Sequence, residues 1–366
     1  MDRPMNADTD SQNVGSRFLS PAGQVLQRLP AFAQDPAALA PLYRAMVLTR
    51  AFDTRAMALQ RTGKLGTFAS SLGQEAIGVG VASAMLFNDV LLPYYRDHGA
   101  QLLRGVTMVE ILLYWGGDER GNDFSAARRD FPLCVPIASQ VCHALGVAYA
   151  MKLRRERRVA VCLLGDGATS KGDFYESMNM AGAWRVPLLL LINNNQWAIS
   201  APRSAQSAAR TLAQKALAAG FEGIQVDGND VIAVRAAVQN ALDTLRGGGG
   251  PALIEAMTYR LGDHTTADDA TRYRAAEEVS RQWQFEPIAR LRNYLVNTGA
   301  WGKERDEHLQ RECAEQIDRA VDAYLATPPP APAAMFDHLY AALPAALAPQ
   351  RDSALRFASP EDKRDG

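Results

Sequence analysis

The sequence predicts an α/β fold, a three-layer and mostly parallel sheet with helices on both faces. Short runs of branched and apolar residues recur at Val90–Leu92, Val159–Leu163, Leu188–Ile192, Ile224–Val226 and Ala252–Ala256. Helical patterns of about a dozen or more residues separate them. Strands so separated join in parallel through crossovers, which cover both faces of the sheet. The chain has 366 residues, 48% of them hydrophobic, enough for a substantial core, and shows no internal repeat. One large domain over residues 37–330 is therefore expected, with an N-terminal arm (1–36) and a C-terminal extension (331–366).

Along the chain, residues 1–36 are poor in periodic apolar positions and read as an extended arm that another surface must order. Tyr43, Met46 and Val47 open an amphipathic helix that Thr62-Gly63 stops. Ser71 with Gln74, and Thr107 with Glu110, have the spacing of capping boxes. Helices are expected to start there and to run towards Met85 and Trp115, with Gly116-Gly117 ending the second. "RGGGGP" (246–251) reads as the loop between a helix and the last strand. "ATPPPAPAA" (326–334) breaks the helical pattern, and the final "SPEDKRDG" reads as frayed.

The formal net charge is -1, which argues against nucleic acid or an anionic membrane as partner, since both demand a basic surface. The start, "MDRPMNADTDSQNVGS", lacks the apolar core of a secretory signal. The longest apolar stretch, near Val186–Ile192, is too short to span a bilayer. A soluble, cytoplasmic protein is expected. Cys134, Cys142, Cys162 and Cys313 show no C-x-x-C spacing and read as free buried thiols rather than a zinc or redox site.

"LLGDGATSKGDF" (163–174) follows the apolar run 159–162 and reads as a glycine-rich turn between a strand and a helix. Such turns usually cradle phosphate on free N–H groups, yet this one carries Asp166 and Asp173. A P-loop fails because Asp173-Phe174 stands where Lys-Ser/Thr is required. A dinucleotide fingerprint fails because Gly165 and Gly167 are followed by Gly172, too far on. An acid at a phosphate site makes sense when a divalent cation lies between them, and Mg²⁺ takes oxygen from carboxylate, amide and phosphate. Ligands gather at the carboxyl ends of parallel strands. The next strand exits into Asn193-Asn194-Asn195, so G-D-G, then 26 residues (Ala168 to Asn193), then N-N forms a pattern with a strand before each half.

With that pattern the chain resembles the thiamine-diphosphate enzymes, specifically the alpha subunit of the decarboxylating component of 2-oxo acid dehydrogenase complexes. The match runs from about Leu42 to Leu295 through "SSLGQEA", "LPYYRDHGAQLLRG", "GDGATSKGDFYE", "NNNQWAIS", "QVDGND", "EAMTYRLGDHTTADD" and "TRYR". The resemblance implies that Asp166, Asn195 and the carbonyl of Trp197 bind Mg²⁺. It implies that Gly167 and Ala168 offer backbone N–H groups to the diphosphate and that Tyr95 and Arg96 contact it, against a surface ion pair for Arg96. His264 would stand beside the diphosphate and the reacting carbon, whereas His98 reads as structural. Ile199 would be an apolar wedge under the coenzyme and Ile137 would lie near its pyrimidine, with core packing the rival for both. Asp173 and Glu176 share a helix face. The resemblance gives them a polar tunnel between two active sites, against a solvated face. Cys134, Pro136, Ser139 and Gln140 match a stretch that holds a structural monovalent cation in branched-chain relatives.

The resemblance further implies thiamine diphosphate as the source of the carbon nucleophile, a small 2-oxo acid as substrate, and a lipoyl group on an acyltransferase core as acceptor. The glutamate that activates the coenzyme has no counterpart here, Glu75 reading as structural. A separate beta chain is therefore implied, two alpha with two beta. The loop from His264 to Arg274 would help receive the lipoyl domain, with a plain surface loop as rival. Thr265, Thr271 and Ala275 stand at or beside positions where kinase-regulated relatives have serines, which argues against regulatory phosphorylation. Arg120 replaces an active-site histidine of some relatives. The resemblance implies branched-chain 2-oxo acids as substrates ahead of pyruvate, with acetoin third. A non-catalytic Mg²⁺-diphosphate binding protein is the alternative from another class.

Overall fold

The computed structural model describes residues 15–357. The first part of the expected arm (1–14) and the frayed "SPEDKRDG" end lie outside the described residues. The chain forms two compact units, one up to Val321 and one from Asp322. The second carries two short helices, Ala334–Asp337 and Ala348–Phe357, with no buried residue.

The first unit is built on strands β1 (Val90–Leu92), β2 (Ala160–Gly165), β3 (Leu188–Asn194), β6 (Gly223–Asp227) and β7 (Ala252–Met257). They lie parallel in the order β1-β2-β3-β7-β6. Two-residue strands β4 (Trp197–Ala198) and β5 (Ala201–Pro202) make a small antiparallel hairpin after β3 that the sequence did not announce. All five expected strands are present. The apolar runs stop short of the ladder, which continues through Gly165↔Asn193, Asn193↔Ala256 and Asn194↔Met257. Main-chain pairing does not require apolar side chains, so the ladder carries polar residues to the strand ends.

The helices of this unit begin with α1 (Ala40–Arg61), α2 (Glu75–Ala84), α3 (His98–Arg104), α4 (Met108–Trp115), α5 (Ser139–Leu153), α6 (Gly172–Trp184), α7 (Arg203–Gln206) and α8 (Val231–Arg246). Ala160, Cys162, Leu164, Leu188, Leu190 and Ile192 face α5 and α6, meeting Val141, Ala144, Phe174 and Met178. Val161, Leu163, Leu189, Leu191 and Ile254 point the other way, onto Ile77 and Val81 of α2 and Val234, Val238 and Leu242 of α8. This two-sided burial explains why the strands read as continuous apolar runs. Each fully buried aliphatic side chain contributes about 1.5–3 kcal/mol.

Thr107 and Glu110 form the expected capping box on α4. Ser71 and Gln74 do not form one: α2 starts at Glu75 with no side-chain cap. The Ser71 N–H and hydroxyl go instead to buried Asp53, at 2.8 and 3.1 Å. The described part of the arm is ordered by the chain's own body. The N–H groups of Phe18 and Leu19 donate to Asp230 Oδ2 at 2.7 and 2.8 Å, and Leu19 and Ala33 join the core with Tyr43 and Met46 of α1. All four cysteines are free, but only Cys162 and Cys313 are buried; Cys142 lies exposed on α5. Among the described residues no helix is long and apolar enough to cross a membrane.

Candidate active site at the strand exits

After β2 the chain turns at once through a 3-10 turn, Asp166–Ser170, into α6; no side chain caps the turn, which leaves its first N–H groups available. Gly167 is required here, because a Cβ on it would come within 2.6 Å of the Ala198 Cβ in the hairpin after β3. The two strand exits thus close on one cleft of about 180 Å³. It is lined by Tyr95, Arg96, Ile137, Asp166, Gly167, Ala168, Asn195, Trp197, Ile199 and His264, together with Cys134, Pro136 and Gln140. All ten expected coenzyme-contacting residues are therefore brought together. Ile199 and Ile137 are 56% and 43% exposed, so the cleft wall, not the core, is their place.

Asp166 is 3% exposed, and among the described residues its carboxylate has one side-chain partner, the Gln206 amide at 3.0 Å. Burial holds this carboxyl above its ordinary range. Asn195 accepts the Trp197 N–H on Oδ1 at 3.3 Å and donates to Gln74 Oε1 at 3.1 Å. Buried polar atoms without a partner gather around these residues: Gln74 Nε2, Gln140 Oε1, Asn193 Oδ1 and Gln206 Oε1. Such atoms are costly in a finished interior, and here they mark a site shaped for an additional polar group.

The opposite wall is cationic. Arg96 donates to the carbonyls of Ser70 and His264, both at 2.6 Å, and lies 3.0 Å from His264 Nδ1. Arg260 donates to the carbonyls of Trp197 (3.1 Å) and Ile199 (2.8 Å) and to the Tyr273 hydroxyl (2.9 Å), and lies 3.2 Å from His264 Nδ1. Guanidinium groups only donate, so Nδ1 accepts and the imidazole proton sits on Nε2. Burial first, then the Arg96 and Arg260 charges, depress the His264 pKa to about 3. His264 is a neutral donor at physiological pH. Asp268 holds its backbone, accepting the His264 N–H at 2.9 Å and the Tyr273 hydroxyl.

Backbone strain concentrates in the same place. Of the five non-glycine residues with positive φ among the described residues, Ala138 (68°) and Ile199 (53°) line the cleft, and Gln196 (74°) lies between Asn195 and Trp197. Such conformations cluster at functional sites.

Other candidates lie elsewhere. Asp173 and Glu176 are on α6, outside the cleft residues, and Asp173 is 3.5 Å from Lys171. His98 is buried, stacked on Phe68 and accepting from Trp115 Nε1 at 3.1 Å. Glu75 is buried against Arg50, and Arg120 pairs with neighbouring Asp118. Sequence reasoning missed Arg260, Gln74 and Gln206, and gave Asp268 and Tyr273 no individual role. Arg260, Asp268 and Tyr273 lie in quoted segments; Gln206 carries no motif. Among the described residues no three acidic, histidine or cysteine side chains converge as a metal cluster.

Residues 43–333 match the sequence profile of the family described as dehydrogenase E1 component. The chain is 42% identical over 311 residues to the 3-methyl-2-oxobutanoate dehydrogenase subunit alpha of Mycobacterium tuberculosis, covering 85% of each. It is 41% identical over 290 residues to the pyruvate dehydrogenase E1 component subunit alpha of Acholeplasma laidlawii, covering 78% of this chain and 84% of that one. To the subunit of the same name from Staphylococcus aureus it is 40% identical over 346 residues, covering 94% and 93%.

Proposed function

The chain belongs to the dehydrogenase E1 component family, and from that premise we propose that it is the alpha chain of a 2-oxo acid dehydrogenase complex. It catalyses oxidative decarboxylation with thiamine diphosphate and Mg²⁺ and delivers the acyl group to a lipoyl group on an acyltransferase core. One observation carries the reading: among the described residues Asp166 is a buried acid whose one side-chain partner is an amide, across from two guanidiniums bonded to neutral acceptors. A cation beside a diphosphate complements both.

Asp166 and Asn195, with the Trp197 carbonyl, would hold Mg²⁺. The Gly167 and Ala168 N–H groups, Tyr95 and Arg96 would hold the diphosphate, Arg96 suiting paired oxygens. Ile199 would support the coenzyme from beneath and Ile137 would border its pyrimidine. Bound thiamine diphosphate supplies the carbon nucleophile and the electron sink for the departing carbon dioxide. His264, whose Nδ1 faces the two guanidiniums, would direct its Nε2 proton to developing negative charge. Gln140, whose Oε1 is buried without a partner among the described residues, would hold a structural monovalent cation together with Cys134, Pro136 and Ser139.

The coenzyme domain spans residues 37–330. A beta chain supplies the activating glutamate, and two alpha with two beta chains close two sites, with Asp173 and Glu176 on the polar path between them. The substrate is a branched-chain 2-oxo acid; pyruvate is the second reading, since relatives named for each are 40–42% identical. The test is kcat/KM for 3-methyl-2-oxobutanoate and for pyruvate, with the beta chain present. One or two methylenes shift binding by about 1–3 kcal/mol, so a preference of tenfold or more separates the two. Turnover of acetoin instead would replace both. Calorimetric binding of Mg²⁺ and thiamine diphosphate with no decarboxylation in the reconstituted complex would leave a non-catalytic binding protein.

A further inference from the structure

Beneath the turn that carries Asp166 lies a buried ammonium that the reaction does not use. Lys215 is 8% exposed. Its Nζ donates to the carbonyl and to the hydroxyl of Thr169, each at 2.9 Å, and lies 5.1 Å from the Tyr175 ring centre. The Thr169 hydroxyl donates onward to the Asp166 carbonyl at 2.8 Å. An apolar side chain could fill this space without losing hydration. A lysine instead brings two donors to one threonine, and that threonine fixes the backbone of the acid.

The other end of the segment is tied as firmly. Lys215 sits in the 3-10 helix Ala213–Ala219, whose first N–H, that of Ala213, donates to Glu255 Oε2 at 3.0 Å. Glu255, in the middle of β7 and 1% exposed, accepts with Oε1 from Asn194 Nδ2 at 2.7 Å. Asn194 in turn accepts the Gln196 N–H on Oδ1 at 3.2 Å, on the far side of Asn195. Two opposite buried charges thus hold the two ends of one path: Asp166, Thr169, Lys215, Ala213, Glu255, Asn194. It joins the exit of β2 to the exit of β3 through residues that do not line the cleft.

We propose that Lys215 and Glu255 form a buried strut that fixes the spacing between the Asp166 turn and the Asn194–Asn195 exit. The strut thereby sets how well the Asp166 and Asn195 oxygens converge on a divalent cation. This rests on the reading that these two residues hold Mg²⁺. Lys215, Glu255 and Thr169 are positioning residues; none lines the cleft. Losing a group that orients a metal ligand from behind typically costs about 10–100-fold in metal affinity or activity.

The test compares Lys215→Met, Thr169→Val and Thr169→Ser in the full chain. Without coenzyme, amides of residues 167–171 should exchange about tenfold faster in Lys215→Met and Thr169→Val, while those of Leu189–Ile192 stay unchanged. Thr169→Ser keeps the hydroxyl and should exchange like the parent. In the complex with the beta chain, the Kd for Mg²⁺ at saturating thiamine diphosphate should rise about 10–100-fold in the first two variants. Their kcat at saturating metal should stay within about twofold of the parent. Parent-like exchange in both Lys215→Met and Thr169→Val overturns the strut, as does uniformly faster exchange across the sheet. Should Lys215→Met fail to fold, the Thr169→Val and Thr169→Ser pair decides alone. A parent complex that binds no Mg²⁺ defeats the proposed function instead, and the exchange experiment still decides whether the strut exists.

Discussion

Two parallel strands of the sheet end in the same dipeptide. β2 runs into Asp166-Gly167, and β6 closes on Asp227-Gly228. Both acids are buried, 3% and 4% exposed. Asp227 is completed from within the chain: its Oδ2 meets Arg290 at 2.7 Å, its Oδ1 accepts the Asn229 N–H at 3.0 Å, and the Gly228 N–H goes to Met257 at 2.7 Å. Asp166 receives one amide, while the nearby Arg96 and Arg260 bond to neutral groups. An Asp-Gly at a strand exit therefore does not define a binding site. What distinguishes the two among the described residues is that Asp227 has a guanidinium bonded directly to its carboxylate and Asp166 has none, the difference on which the proposed cation at Asp166 rests.

The comparison breaks most sharply by substitution, with opposite effects expected at the two positions. Asp166→Ala should abolish coenzyme retention after chelator treatment and lower kcat/KM by more than about a hundredfold, exceeding the usual loss for groups that only orient a ligand. Its urea midpoint should hold or rise, because a buried acid without a charged partner has gone. Asp227→Ala strands Arg290 in the interior and should cost about 3–5 kcal/mol in urea unfolding, while the folded fraction keeps its activity. Full activity with unchanged coenzyme retention in Asp166→Ala would remove the basis of the functional reading. Equal losses of stability at both positions would erase the difference between the exits.

The five strands and the α4 capping box were legible because they depend on local apolar pattern and side-chain spacing. The ten cleft residues were legible through motif resemblance, which fixes types and spacing along the chain. Arg260 was not: a guanidinium serving two carbonyls, a tyrosine and a histidine acts through contacts that form only once the loop after β7 returns to the β3 exit. Ser71 misled for a related reason, since its capping spacing is real but buried Asp53, from α1, takes its donors. The arm misled through composition. Its few apolar residues suffice because Asp230, the N-cap of α8, also accepts the Phe18 and Leu19 N–H groups.

Histidine protonation sharpens the comparison at the next scale down. A pKa near 3 for His264, against about 6.5 for an unfolded histidine, means the unfolded chain takes up the proton first as pH falls. Above about pH 6.5 both states are neutral and the group contributes no pH dependence. Between about 6.5 and 3 the unfolded state binds more protons, so stability falls with pH, and it is lost in full below the folded value. By pH 5 the loss amounts to at most about 2 kcal/mol, reduced by solvent because His264 is only partly buried. His264→Asn should flatten that part of the acid limb in urea unfolding between pH 7 and 5. An unchanged limb would show that burial and the two arginines do not hold the imidazole neutral.

The smallest effect concerns strain, which gathers at the cleft that holds Asp166 and is absent around Asp227. Ala138, Gln196 and Ile199 have positive φ at or beside the cleft, and no non-glycine residue around Asp227 does. A β-branched side chain at φ 53° is the most costly of the three. The Ile199 carbonyl is held there by Arg260 at 2.8 Å, while its side chain, 56% exposed, recovers little from burial. Asparagine tolerates this region far better, so Ile199→Asn should raise stability by about 1 kcal/mol in urea unfolding. If the strained isoleucine is kept to support the coenzyme, the same variant should raise the KM for thiamine diphosphate several-fold with the urea midpoint moving up. A midpoint that falls would show that Ile199 contributes to folding after all, and the strain at this exit would lose its functional meaning.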